Sequence, residues 1–225
     1  MVNDHDGAAE ESAIAALTSF GVSTVYEASG REGLIDIELH QIVPGSRVCG
    51  RARTVLCAQG DNLMVHAALA VLQPGEVLVL AMPREEPIAL VGDLLATQAQ
   101  VHGAAGMLIG AAVRDVEALR ELGLPIWSRF IRARGAVRTS TGALNVPVQL
   151  GGTTIRTGDY VLMDADGAVV IAPERLDDVL RSSAAREQRE TTNREQFTSG
   201  VLSIDLYGLR DGLTPHLTPS RPDDE

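Results

Sequence analysis

Apolar and polar positions along this chain change period repeatedly, and glycine or proline separates the blocks. After a loose acidic lead (1–10), residues 11–20 carry helical spacing closed by Gly21, and 24–28 begin a second helix before Gly30. Strand-like alternation follows at 42–43 and 51–58, with Pro44-Gly45 turning between them. Residues 64–72 predict a helix that stops at Pro74-Gly75. The short apolar run 77–81 then predicts a strand buried on both faces.

The middle of the chain has the clearest pattern. After a loop at 83–87, Gly92-Asp93-Leu94-Leu95 opens a helix that runs to His102-Gly103. A second apolar strand, 107–112, carries Arg114-Asp115 at its carboxyl end, where a helix over 116–122 begins. Strand, helix, strand, helix in this order predicts an α/β domain with parallel pairing. Ligands in such units sit beyond the carboxyl ends of the strands. From 126 to 172 short runs alternate with turns at Gly151-Gly152, Gly158-Asp159 and Asp166-Gly167, which predicts a β-rich second layer. The helix expected over 173–196 is apolar at Leu176, Val179 and Leu180 and then turns almost wholly polar, so its end is expected to leave the domain and lie on something else. The expected division is a flexible N-terminus (1–10), an α/β catalytic domain (11–173), a C-terminal helix and tail (174–209), and a disordered end (210–225).

Composition narrows the function. A net charge of −11 with no basic stripe argues against a nucleic-acid surface. The longest apolar stretch, 104–113, is too short to span a bilayer, and the acidic start lacks the regions of a signal peptide, so a cytoplasmic protein with no membrane partner is expected. Cys49 and Cys57 lack metal-ligand spacing and read as free, buried thiols. All 19 basic residues are arginine; without lysine, Schiff-base and pyridoxal phosphate chemistry on a lysine amine is excluded.

The candidate chemistry gathers at one predicted sheet edge. The first amides of the helix opened by Gly92 have no intrahelical partner and favour an anion, and Asp93 in the same turn serves either as cap or as ligand. Arg114-Asp115 reads either as a surface ion pair or as an arginine fork beside a carboxylate, suited to an enolate oxygen and to magnesium held through few carboxylates and several waters. Asp164-Ala165-Asp166-Gly167 begins like a calcium loop but lacks the closing glutamate and reads as a hairpin turn. Gly60-Asp61-Asn62 reads as a helix cap, and His66 and His102 as structural.

These residues make the chain recognisable. It resembles the 4-hydroxy-4-methyl-2-oxoglutarate / 4-carboxy-4-hydroxy-2-oxoadipate aldolases, a family that shares its fold with the regulator of ribonuclease activity A. The resemblance runs from Phe20 to Leu209. It rests on the stretch from Gly21 to Ala28 with Gly30-Arg31, on Gly60-Asp61-Asn62 with His66, and on Gln73-Pro74-Gly75. Gly92-Asp93-Leu94-Leu95-Ala96, Arg114-Asp115, Pro125-Ile126-Trp127-Ser128 and the tail through Asp205-Leu206-Tyr207 complete it. Asp93 with Arg114-Asp115 forms the D-x20-R-D motif that marks lyase activity in the family.

The resemblance implies a layered β/β/α swivelling-type fold with a C-terminal helical arm, assembled as a homotrimer or homohexamer. It implies Asp115 as the protein ligand of Mg²⁺ or Mn²⁺, and Asp93 as the carboxylate that orients a water for proton transfer. Arg114 would hold the pyruvyl keto oxygen, and Gly92 with the Leu94 and Leu95 amides would seat the pyruvyl carboxylate. Glu190, or the nearby Glu187, would reach the outer shell of a neighbouring subunit's metal. The implied activity is metal-dependent cleavage of a small 2-oxo acid to pyruvate, with oxaloacetate decarboxylation through the same enolate. The rival expectations are a dedicated oxaloacetate decarboxylase and a non-enzymatic binding regulator. Arg129, Arg132 and Arg134 read either as contacts for a di- or tricarboxylate or as a solvated face. The 82–88 loop departs from the family's pattern.

Overall fold

The structure, a computed structural model, describes residues 4–217. Its elements in chain order are α1 (Asp4–Phe20), α2 (Val22–Ala28), β1 (His40–Gln41), β2 (Val48–Leu56), α3 (Leu63–Leu69), β3 (Glu76–Ala81), β4 (Ala89–Val91) and α4 (Asp93–Val101). Then come β5 (Gly106–Val113), α5 (Val116–Leu122), β6 (Ile126–Ile131), β7 (Ala143–Leu144), β8 (Val148–Leu150), β9 (Thr153–Ile155), β10 (Tyr160–Asp164) and β11 (Gly167–Ile171). A 3-10 turn (Pro173–Arg175) leads into α6 (Leu176–Thr198), α7 (Ser203–Leu206) and α8 (Arg210–Leu217). The chain divides into two compact units between Ala184 and Ala185.

The first unit is built on a mixed sheet in the order β1-β6-β5-β3-β2-β10-β11, with β4 pairing β5 and β7 pairing β2. The four strands β2, β3, β5 and β6 are parallel, as the strand–helix–strand pattern requires. Alternation along the central strands sorts side chains between two faces. Leu78 and Leu80 of β3 and Met107 and Ile109 of β5 pack with residues of α3, α4 and α5 on one face. Val77, Val79 and Leu108 pack on the other, against Val148, Leu150 and Ile155 of the separate β8–β9 hairpin. This is the expected layered β/β/α arrangement. A third cluster seats α1, α2 and the start of α6 on β10 and β11 through Leu17, Val25, Leu162, Val169 and Val179.

Several sequence expectations are corrected. The lead expected to be flexible is helical from Asp4, and Glu10 reaches Arg51 and the Tyr160 hydroxyl. The second β layer is limited to β8 and β9; β6, β7, β10 and β11 join the main sheet. The first strand lies at His40–Gln41 instead of 42–43, set by antiparallel pairing to Trp127 and Ser128. At the C-terminus, Arg210–Leu217 is a helix where disorder was expected. A two-pronged Arg210–Asp205 bond (2.6 and 2.8 Å) secures its start; residues 218–225 lie outside the described residues. The Asp164–Gly167 turn is the expected hairpin, closing β10 onto β11 with the Asp166 amide donating to Asp164 Oδ1 at 2.9 Å. Both cysteines are free and buried, and burial pushes both thiols up to about 12. Among the described residues no helix is long and apolar enough to cross a membrane.

Candidate active site

The element that organises the site is β4, a strand too short to read from sequence. Ala89, Leu90 and Val91 are all buried and run parallel to β5, with Ala89 opposite Ala112 and Val91 opposite Val113. The Arg114 amide then donates to the Val91 carbonyl at 3.1 Å. Pairing thus continues to the last residues of both strands and brings Gly92-Asp93 beside Arg114-Asp115, although about twenty residues separate them in sequence.

Beyond the strand ends the chain turns into two helices. At α4 the first intrahelical bond runs from the Ala96 amide to the Gly92 carbonyl, 3.1 Å, so the Asp93, Leu94 and Leu95 amides precede it and face outward. Asp115 starts α5 in the left-handed region, φ 59 and ψ 42, which an aspartate adopts at modest strain. That turn directs its carboxylate back across the sheet edge. Oδ2 lies 3.4 Å from the Asp93 amide and 3.4 Å from Arg114 Nε, and the Asp115 side chain is 41% exposed. Its partners are therefore long and its lone pairs largely uncommitted.

Glycine makes the close approach possible. A Cβ at Gly92 would stand 2.4 Å from Asp115 Oδ2 and 3.2 Å from both Cγ and Nε of Arg114. A Cβ at Gly135 would stand 2.7 Å from Arg114 Nη1. Arg114 thus passes close to two glycines, Gly92 along its stem and Gly135 at its tip.

A cleft of about 490 Å³ opens here. Its lining includes Gly92, Asp93, Leu94, Leu95 and Arg114 from the expected set, together with Asn62, His66, Gln98 and Arg138. Asp115 borders it through its contacts with Asp93 and Arg114. The arrangement joins outward amides, a guanidinium fork and two carboxylates, a setting for an anionic oxygen and for a hard cation.

The neighbouring loop is held differently. Asp61 is buried; its Oδ1 accepts from the Leu63 amide at 2.8 Å. Its Oδ2 accepts from the Thr139 and Ser140 amides, both at 2.7 Å. Burial pushes this carboxyl up, but the bonds from Leu63, Thr139 and Ser140 outweigh it and bring it down to about 2. Asp61 thereby ties the 137–140 segment, with Arg138, to the start of α3.

The family model described as RraA-like: Aldolase/RraA matches residues 21–170, the span that builds the sheet and the cleft. The chain belongs to this family. A Halalkalibacterium halodurans protein named "Putative 4-hydroxy-4-methyl-2-oxoglutarate aldolase" is 34% identical over 161 residues, 72% of this chain and 77% of the relative. Among solved structures, an uncharacterized protein from Pseudomonas syringae pv. tomato superposes with a TM-score of 0.76 at 26% identity, covering 85% of this chain and 91% of that one. Streptomyces coelicolor RraAS2, described as an unusual member of the RNase ES inhibitor RraA protein family, gives 0.73 at 28% identity over 81% and 96%.

Within this Aldolase/RraA chain some expected contacts fall elsewhere. Arg129 is engaged by Glu85 at 3.3 Å and by the Glu38 carbonyl at 2.9 Å, and neither Arg132 nor Arg134 lines the cleft. The second arginine of the cleft is Arg138, which sequence reading passed over because no strand or helix pattern surrounds it. Glu187 and Glu190 lie in the second unit, where Glu190 pairs with Arg186 at 2.8 Å.

Proposed function

We propose that this protein is a divalent-metal-dependent lyase that cleaves 4-hydroxy-2-oxo dicarboxylates to release pyruvate and also decarboxylates oxaloacetate. The observation that carries the reading is the meeting of the α4 amides, Arg114 and Asp115 at one cleft. The relative's name supports the aldolase part of the reading.

The residues present fit Mg²⁺ or Mn²⁺. The described residues hold no group of three or more His, Cys, Asp or Glu placed to bind a metal. A hard cation that keeps most of its waters needs only one or two carboxylates, and Asp115, with Asp93 adjoining, offers uncommitted oxygens. When bound, the ion supplies Lewis-acid polarisation of the substrate's keto oxygen. The chain's own groups do the remaining work. The Leu94 and Leu95 amides hold the pyruvyl carboxylate at the positive end of α4. Arg114 donates to the keto oxygen and more strongly as that oxygen gains enolate charge, which lowers the barrier. Asp93 orients the water that takes the proton from the substrate's hydroxyl and returns one to the enolate carbon. Arg138 faces the distal carboxylate. In the assembled homo-oligomer, a trimer or hexamer, Glu190 of the C-terminal helix completes a neighbouring subunit's site.

The decisive test is pyruvate release from oxaloacetate and from 4-carboxy-4-hydroxy-2-oxoadipate, with Mg²⁺ and again with EDTA. The expected result is release from both that EDTA abolishes. No release from either by folded, metal-supplied protein would overturn the reading and favour a binding regulator, the role that the similarity to RraAS2 would then support.

A further inference from the structure

Asn62 and His66 line the same cleft, and each holds a buried polar atom with no hydrogen-bond partner among the described residues: Asn62 Oδ1 and His66 Nε2. Such atoms destabilise a fold unless something in the functional state satisfies them. They belong to the start and second turn of α3, a rigid element whose Val65, Ala68 and Leu69 are buried in the core.

The orientation of Asn62 decides what it can meet. Its Nδ2 donates to the Leu90 carbonyl at 3.0 Å, and turning the amide over would set oxygen against oxygen. Oδ1 is therefore fixed as an acceptor and is satisfied only by a group that brings a proton. In a 4-hydroxy-2-oxo dicarboxylate the carboxylates and the keto oxygen bring none. The hydroxyl does.

We infer that Asn62 and His66 form the receptor for the substrate's 4-hydroxyl, with Oδ1 accepting its proton bond and Nε2 hydrogen-bonding its oxygen. This rests on the lyase reading and deepens it. In the cleavage the hydroxyl proton passes from its bond with Asn62 to the water oriented by Asp93, the oxygen closes the new C4 carbonyl, and the C3–C4 bonding pair moves to C3 to give the enolate. A group that holds the hydroxyl thus selects which carbon becomes the carbonyl. Oxaloacetate has no such hydroxyl. Asn62 and His66 are accordingly specificity-determining residues that favour aldol cleavage over decarboxylation.

The test measures kcat and KM for 4-hydroxy-4-methyl-2-oxoglutarate and for oxaloacetate in the wild type, His66→Phe, His66→Gln and Asn62→Ala, each checked for fold by circular dichroism. The expected result is a fall of about tenfold to a hundredfold in the ratio of the two kcat/KM values for His66→Phe and Asn62→Ala, the loss of one hydrogen bond that leaves its partner stranded. His66→Gln, whose amide reaches toward the Nε2 position, should recover part of the ratio. A ratio within about threefold of wild type in both truncations would overturn the inference while leaving the lyase reading intact, because an interaction of this kind is worth more than that. Wild type inactive on both substrates would overturn the two together.

Discussion

Asp61 and Asp115 both introduce a short helix, α3 and α5, after a strand of the same sheet, yet the fold treats them oppositely. Asp61 is buried, accepts amide bonds from Leu63, Thr139 and Ser140, and is brought down to about 2. Asp115 is partly exposed, sits in a left-handed conformation, and among the described residues its carboxylate has only 3.4 Å contacts to the Asp93 amide and Arg114. The first aspartate has its bonding capacity filled by the protein and fixes a loop. The second keeps its capacity open at some backbone strain. Identical side chains at similar places thus divide into a structural member and a chemical one according to which lone pairs remain available.

Substitutions can break or sharpen this contrast. The largest effect is expected from Asp115→Ala, which should lower metal-dependent pyruvate release by about a thousandfold or more with the far-ultraviolet spectrum unchanged. Near-normal turnover would remove Asp115 from the chemistry. Gly92→Ala adds one methyl group that would stand 2.4 Å from Asp115 Oδ2, and its φ of −130 is one alanine adopts freely. Turnover should fall about a hundredfold through displaced geometry while the melting temperature changes little.

Asp61→Asn should show the reverse profile. The carboxyl is held below its unfolded value, so it contributes stability above a pH of about 4 that is lost as pH falls toward about 2. The variant should lack that acid-side slope and melt roughly 5 °C lower at neutral pH, because an NH2 group replaces one of the two oxygens that accept from the Leu63, Thr139 and Ser140 amides. An unchanged melting curve would erase the distinction between the two aspartates. The smallest effect is expected from Glu190→Ala, about tenfold in kcat with the oligomer intact by light scattering. Full activity there, beside a loss in Glu187→Ala, would move the role by one helical turn.

The sequence exposed the parts of this design that follow a period. Residues 77–81 and 107–112 alternate between two buried faces, and the helix over Val116–Leu122 lies where the pattern predicts it. The D-x20-R-D spacing likewise named residues that the fold brings together. What stayed hidden has no period. Ala89–Val91 is three residues long, and its strand character comes from pairing with β5, a non-local contact. Arg138 enters the cleft because a buried aspartate far away in sequence holds its loop. Asn62 and His66 read as a cap and a structural histidine because the sequence shows neither the Leu90 carbonyl that orients one nor the buried, unsatisfied nitrogen of the other.

The close approach of Gly92 and Gly135 to Arg114 has an entropic consequence. A free arginine side chain samples many rotamers, and freezing it is worth about 2 kcal/mol against binding. The backbone beside its stem and its tip narrows that sampling before any substrate arrives. The ordering is then charged to folding, where a whole core shares it, and a small anion entering the cleft meets a guanidinium already restrained in aim.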